Sequence, residues 1–232
     1  MTVSTLHAEQ LVYGTFPFTQ GFTLVARSSG VGPALAQAAV EACRSWGEVG
    51  RPEFRSALWH LALPAPHEAH LVSKVIRQGT DPGARMAWYH QVLILNEADY
   101  LSAGADCFAF DKAGFFKDRW FEGDDCQPID VDATLVPALD AGSLSDSAQV
   151  PARAIAAALE QGREVRLQAG RPCRAIDEVC RAALALLAPE RRAAVALASF
   201  AYRPVRRYDL WCVHEPGGDC PESADQVRPR TR

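Results

Sequence analysis

Hydrophobic positions along the chain switch repeatedly between a period of two and a helical period, and the switches lay out the elements. Residues 7–27 are aromatic and β-branched around a break at Pro17–Gly21, which predicts a β-hairpin. Pro33 suits the first turn of a helix, where a missing N–H costs nothing. From there Leu35, Ala38, Ala39 and Ala42 recur at helical spacing as far as Trp46, and the Gly- and Pro-bearing run 47–52 stops the helix. Residues 56–64 read as a strand. Residues 69–81 alternate at Leu71, Ser73, Val75 and Arg77, as a half-exposed strand does. Asp81-Pro82-Gly83 is turn chemistry. Trp88–Leu95 is almost continuously apolar, the mark of a central strand. A short helix begins at Glu97, and the aromatic stretch 107–116 is expected to lie on the core.

Periodicity lapses over 120–148, where Pro, Gly and acidic residues dominate, and a long connection is expected, with room for one short element. The second half predicts a helix over 150–162 with Pro151 at its start, then a strand over 163–169. An amphipathic helix follows over 172–187, its stripe formed by Ile176, Val179, Cys180, Ala183 and Leu187. A short helix at Pro189–Ala194, a strand through Phe200 and another near 208–215 complete it. The fold class expected is α+β: a mostly antiparallel sheet with packed helices, in two sub-halves joined by a long loop. The divisions are an N-terminal α+β domain over 1–122, a linker over 123–148, and a C-terminal α/β segment over 149–214 packed on the first. The polar residues 215–232 are expected to form a mobile tail.

Composition narrows the function. The chain has 232 residues, 48% of them hydrophobic, enough for a sizeable core. Its net charge is −4 and no Lys/Arg block stands out, which argues against a nucleic-acid partner or an anionic membrane. No signal-peptide pattern opens it, and no apolar run approaches the roughly 20 residues of a membrane helix, so a cytoplasmic location is expected. The seven cysteines are odd in number and widely spaced, with no C-x2-C. Reduced thiols are expected, and neither a metal site nor a cofactor.

Three constellations carry candidate chemistry. A strand runs through Ser28-Ser29-Gly30-Val31-Gly32-Pro33 into a helix, an arrangement that can cradle an anion at the helix start. It lacks the Lys-Ser/Thr of a P-loop and the third glycine of a dinucleotide loop, and Pro33 lacks a donor. A structural turn is the first reading, with an anion or nucleotide sensor at Ser28, Ser29, Gly30 and Gly32 as the alternative. His60 and His90 fall in strands that could meet across a sheet. Cys212 and His214 share one face of a strand, about 6–7 Å apart along it. These four residues are the candidates for a Cys/His hydrolase or transferase. His67 and His70 lie three apart after Pro64 and Pro66, too close for the metal-binding pair of a zinc protease helix. Finally, Tyr13, Phe16, Phe18 and Phe22 crowd the first hairpin. Aromatic anchors are enriched at interfaces, so these four are the candidate interface, with Phe16 and Phe18 near the tip as its anchors.

Three segments carry a family resemblance. Gly21, Phe22, Leu24, Ala26, Ser28, Gly30 and Val31 match a G-[FY]-x-[VL]-x-A-x-S-x-G-[LV] strand. Arg85 and His90 fall near the places of a central G-R-x-G-x-[YF]-x-x-H-x-L strand, with Ala84 for the first glycine and the histidine slightly early. Ser199-Phe200 match the S-F of a later L-L-P-x-x-x-R-x-x-L-S-F-x-T segment, with Tyr202 in place of the Thr. Together these resemble the N-terminal domain of the bacterial GTPase-associated proteins (type two), whose members generally carry further domains. The resemblance implies a part in a multi-protein system with a small GTPase and an adaptor, and carries over no catalytic residue. The function expected is therefore a non-catalytic adaptor or scaffold whose partners are other proteins.

Overall fold

In the computed structural model, which describes residues 5–46, 54–80, 83, 85–136, 146–201, 208–215, 218 and 220–231, the hairpin is real. Strand β1 (Thr5–Gly14) pairs antiparallel with β2 (Thr23–Arg27), and helix α1 (Pro33–Trp46) follows with Pro33 at its start. The helix stop at 47–52, the first two residues of the 81–83 turn, Ala84 and Tyr202 lie outside the described residues, as does 137–145 of the expected linker.

Strands β3 (Ser56–Leu63), β4 (Ala69–Thr80) and β5 (Met86–Asn96) form an antiparallel meander, and β5 pairs on with β1. Every residue of β5 between its ends is buried, as its apolar run requires of a central strand. Helices α2 (Glu97–Ser102) and α3 (Cys107–Lys112) follow at once. The carboxylate of Asp106 accepts the Phe108 N–H at 3.0 Å and caps α3, so part of the aromatic stretch coils into a helix.

The second half supplies α4 (Asp146–Glu160), β7 (Val165–Ala169), α5 (Arg174–Ala185), α6 (Pro189–Ala194), β8 (Leu197–Ala201) and β9 (Leu210–His214). Helix α4 begins earlier than its sequence suggests, so Pro151 falls inside it. Strands β7, β9 and β8 run parallel, and β8 pairs antiparallel with β3. With β10 (Arg230–Thr231) at one end, the halves therefore share one mixed, mostly antiparallel sheet, ordered β10-β7-β9-β8-β3-β4-β5-β1-β2. An α+β architecture follows, and the joint between its halves is the β3–β8 pairing.

A short strand stands in the connection, and the tail differs from expectation. Within the connection, β6 (Ile129–Asp132) pairs with the first residues of β1. Its Ile129 and Val131 pack on the core, and so short a segment shows no periodicity in sequence. The tail is not free either. Ala224 and Val227 are buried in the main core, and β10 (Arg230–Thr231) pairs with β7. Two apolar residues in a polar run suffice to dock it.

Register assigns the sheet's faces. Trp59 and His90 lie on the face covered by α1, where Trp46 meets Trp88 and His90 at centroid distances of 5.8 and 5.6 Å. On the other face Tyr100 of α2 stacks on His60 and His70 at 4.7 and 4.6 Å. There Arg181 of α5 pairs with buried Asp106 at 2.8 Å.

Candidate functional site

The β1–β2 hairpin is built by close approach. A Cβ on Gly14 would lie 2.5 Å from the Trp88 carbonyl oxygen and the Tyr89 Cα, so only glycine fits there. The Thr19 hydroxyl then accepts the Phe16 N–H at 2.9 Å and tightens the turn. This geometry folds Phe16 inward. Its ring is fully buried, 5.2 Å from Tyr89 and 5.1 Å from Phe18, in a small core with Val12, Ile76 and Trp120. Phe16 is therefore core and not an interface anchor. Phe18 is half-buried against it. Tyr13 is also buried, its hydroxyl accepting from Arg44 Nε of α1 at 3.1 Å. Sequence gives no warning of the Phe16 burial because the Tyr89 ring it packs on comes from β5, far along the chain.

Phe22 stays outside. It is 47% exposed, with its ring edge-on to Trp88 at 4.8 Å, and Leu24 beside it is 37% exposed. Strand β2 ends the sheet, and no described strand pairs with its outer edge. Between β2 and α1 runs a groove of about 410 Å³ lined by Tyr13, Phe22, Leu24, Ala36, Val40 and Arg44, among others. Around the tip, Pro17, Phe18, Trp120 and Phe121 line a second hollow, and Phe121 is 59% exposed. Phe121 joins this surface from a hundred residues downstream, with no signal in sequence.

The Ser28–Gly32 turn already holds an anion, and it is the protein's own. Ser28 is buried and its hydroxyl donates to the Glu9 carboxylate, while accepting the Gln10 N–H at 2.8 Å. The Gly30 N–H also donates to Glu9, and a Cβ on Gly30 would land on that carboxylate. Burial alone would raise the Glu9 carboxyl, but Ser28, His7 and the Gly30 amide together hold it below its ordinary value. Two donors of the turn are thus occupied from within, and Ser29 and Gly32 are exposed.

The candidate catalytic residues are not brought together. His90 lies opposite Val75, and Val75 opposite Ala57, whereas His60 lies opposite Val72. An odd offset along β3 sends His60 and His90 to opposite faces. His60 instead meets His70, Nε2 to Nδ1 at 3.1 Å, with its Nδ1 donating to the Val195 carbonyl at 2.8 Å. Burial lowers both histidines, His60 to about 3. Cys212 is buried, and burial with Cys173, Asp177 and Cys220 nearby pushes its thiol well above the ordinary value, the reverse of an activated nucleophile. His214 directs Nδ1 at the Gly170 carbonyl, 2.9 Å away.

Among the described residues no group of three or more His, Cys, Asp or Glu side chains could hold a metal ion, and no helix is long and apolar enough to cross a membrane. Comparison with protein-family models, with curated proteins and with solved structures finds no match.

Proposed function

We propose that this protein is a non-catalytic interaction module that takes an extended segment of a partner protein onto the outer edge of β2. The observation that carries the reading is the exposure of Phe22 and Leu24 on a strand whose outer edge is unpaired among the described residues. An open edge offers a row of backbone donors and acceptors to an added strand. Large apolar side chains beside that edge supply the anchors. The groove behind it is lined by Arg27 and Arg44 and by no acidic residue, so the fitting segment carries apolar side chains and an acid. Of the other exposed large apolar residues described, Phe121 lines the hollow at the hairpin tip, and Leu135, Val150 and Leu186 line neither hollow.

A cytoplasmic setting in a bacterial system with a small GTPase is part of this proposal. Its support is the match of Gly21–Val31, Arg85–His90 and Ser199–Phe200 to that family's pattern. Site-specific photo-crosslinking in the native host tests the surface. A crosslinking residue at position 24 is expected to trap a discrete partner that the same residue at Val150 does not. Absence of any position-24 product, or equal products at both positions, overturns the reading.

A further inference from the structure

After β9 the chain is led past the turn between β7 and α5. The Glu215 N–H donates to the Ala169 carbonyl at 3.0 Å, and His214 Nδ1 approaches the Gly170 carbonyl at 2.9 Å. A Cβ on Gly170 would lie 2.0 Å from the Gly218 carbonyl oxygen, so a glycine at 170 is what lets the two segments pass so closely. Beyond this crossing the chain is held again. The Glu222 N–H donates to Gln226 Oε1 at 2.8 Å, Ala224 and Val227 are buried, and β10 pairs with β7. Anchored on both sides, Cys220 lies against Cys173, nearly fifty residues earlier in the sequence.

The two thiols are in hydrogen-bonding contact. Cys173 is the N-cap residue of α5, yet its side chain caps no N–H there, so the helix does not compete for its sulfur. Both residues are half-buried, whereas Cys43, Cys107, Cys126, Cys180 and Cys212 are buried. Burial and the contact with Cys220 push the Cys173 thiol up to about 12, so Cys173 keeps its proton at neutral pH. Cys220 instead lines a cavity of about 260 Å³, together with Gln168, Glu215, Gln226 and Arg230. A small oxidant entering that cavity meets Cys220, with Cys173 behind it.

We propose that Cys220 and Cys173 are a hydroperoxide-responsive pair that closes to a disulfide and staples the end of the chain to the β7–α5 turn. The Cys220 thiolate attacks one peroxide oxygen. An S–O bond forms, the O–O bond breaks, and the departing hydroxide takes up the proton Cys220 gave up and leaves as water. The Cys173 sulfur then attacks the Cys220 sulfur. The S–S bond forms, the S–O bond breaks, and the hydroxide leaves with the Cys173 proton as a second water. Two thiols are oxidised and one peroxide is reduced to two waters. A disulfide, about 2.05 Å between sulfurs, draws the pair closer than a hydrogen bond does. Cys220 stands outside any helix or strand, where the backbone is free to follow. Cys212 lies near both thiols but is fully buried, so it is not the resolving partner. The pair is near the end of the sheet opposite β2, apart from the edge proposed for a partner protein.

Peroxide treatment of the purified, reduced, folded chain tests it. After a few equivalents of hydrogen peroxide the protein is denatured in iodoacetamide, cleaved between Cys212 and Cys220, and mapped by mass spectrometry. A single Cys173–Cys220 linked peptide is expected, with two fewer alkylated thiols than in the untreated chain and full reversal by dithiothreitol. The oxidised chain is expected to melt higher than the reduced one, because the closed loop constrains the unfolded state. Cys220→Ser and Cys173→Ser are each expected to form no disulfide under the same treatment. Cys220→Ser, in an irregular, half-buried stretch, should melt as the reduced parent does, which separates a lost thiol from a lost fold. Linkage of Cys220 to Cys212 overturns the proposal. So does Cys220 oxidised to the sulfinic acid with Cys173 still alkylated, or no loss of thiols at all.

Discussion

The indole Nε1 of Trp59 donates to Nδ1 of His90 at 3.0 Å, inside a cage of aromatic rings. Nδ1 is thereby the acceptor, and the ring's proton belongs on Nε2. Protonating His90 would break this bond, and burial pushes the ring down to about 3. His60 is pushed to about 3 as well, by burial first and by His70, against the Val195 carbonyl. The unfolded chain therefore binds more protons than the folded one between about 3 and the ordinary 6.5. Stability from these two groups is complete above 6.5 and is lost as pH falls below it. His70 acts in the same sense, while Asp177 and His7 oppose it. The melting temperature is expected to fall between pH 7 and pH 5, and His90→Gln, which keeps an acceptor for Trp59, should flatten that fall. Calorimetry across this range checks it, and a melting temperature that rises on acidification contradicts it.

Asp177 has the opposite sign. Burial pushes its carboxyl from 3.8 up to about 7, against a hydrogen bond from Ser199 that favours the charged form. Between these values the folded state holds the extra proton, so stability from this group is complete below about 4 and falls as pH rises toward 7. Asp177→Asn keeps an acceptor for Ser199 and removes the charge. It is expected to raise the melting temperature at pH 8, with the gain vanishing near pH 4. A variant that melts lower than the parent at pH 8 would show that the charged form is favoured.

The Glu9–Ser28–Gly30 contact should behave as structure. Ser28→Ala leaves the buried Gln10 N–H and the Glu9 carboxylate short of a partner, at a cost of about 1–3 kcal/mol. Because the Glu9 carboxyl is held low, its contribution is present above its ordinary 4.5 and is lost as pH falls through the folded value. The Ser28→Ala penalty should therefore shrink in acid. Urea denaturation at pH 7 and pH 4 reads both effects, and equal penalties at the two values would mean the carboxylate plays no part.

Phe16 and Phe22 separate core from surface. Phe16→Ala empties a fully buried site and should cost about 3–5 kcal/mol of stability. Phe22→Ala, nearly half exposed, is expected to cost less than about 1 kcal/mol while abolishing the position-24 crosslink. Paired melting and crosslinking measurements decide it. Similar melting losses for both would place Phe22 in the core.

Local pattern made much of the fold legible. The apolar run of β5, the Pro33 start of α1 and the stripe of α5 each announced an element in the place where it stands. What escaped was long-range. β6 and β10 are too short for a period and exist because β1 and β7 offer them an edge. The opposed faces of His60 and His90 depend on the β3–β4–β5 register, which no single segment encodes. The anion at Ser28–Gly32 was invisible because Glu9 lies on the neighbouring strand, nineteen residues from Ser28.

Strand β3 pairs with β4 at its next turn and with β8 nearly 140 residues away. The local pairing costs little loop entropy, and the distant one must wait until most of the chain has closed around it. During synthesis the first half therefore emerges with one flank of β3 unclaimed, a row of backbone groups open to any other chain. Two separately made fragments, cut within 137–145, would each carry half of that seam. They should be sticky alone and should regain the native sheet when they are mixed.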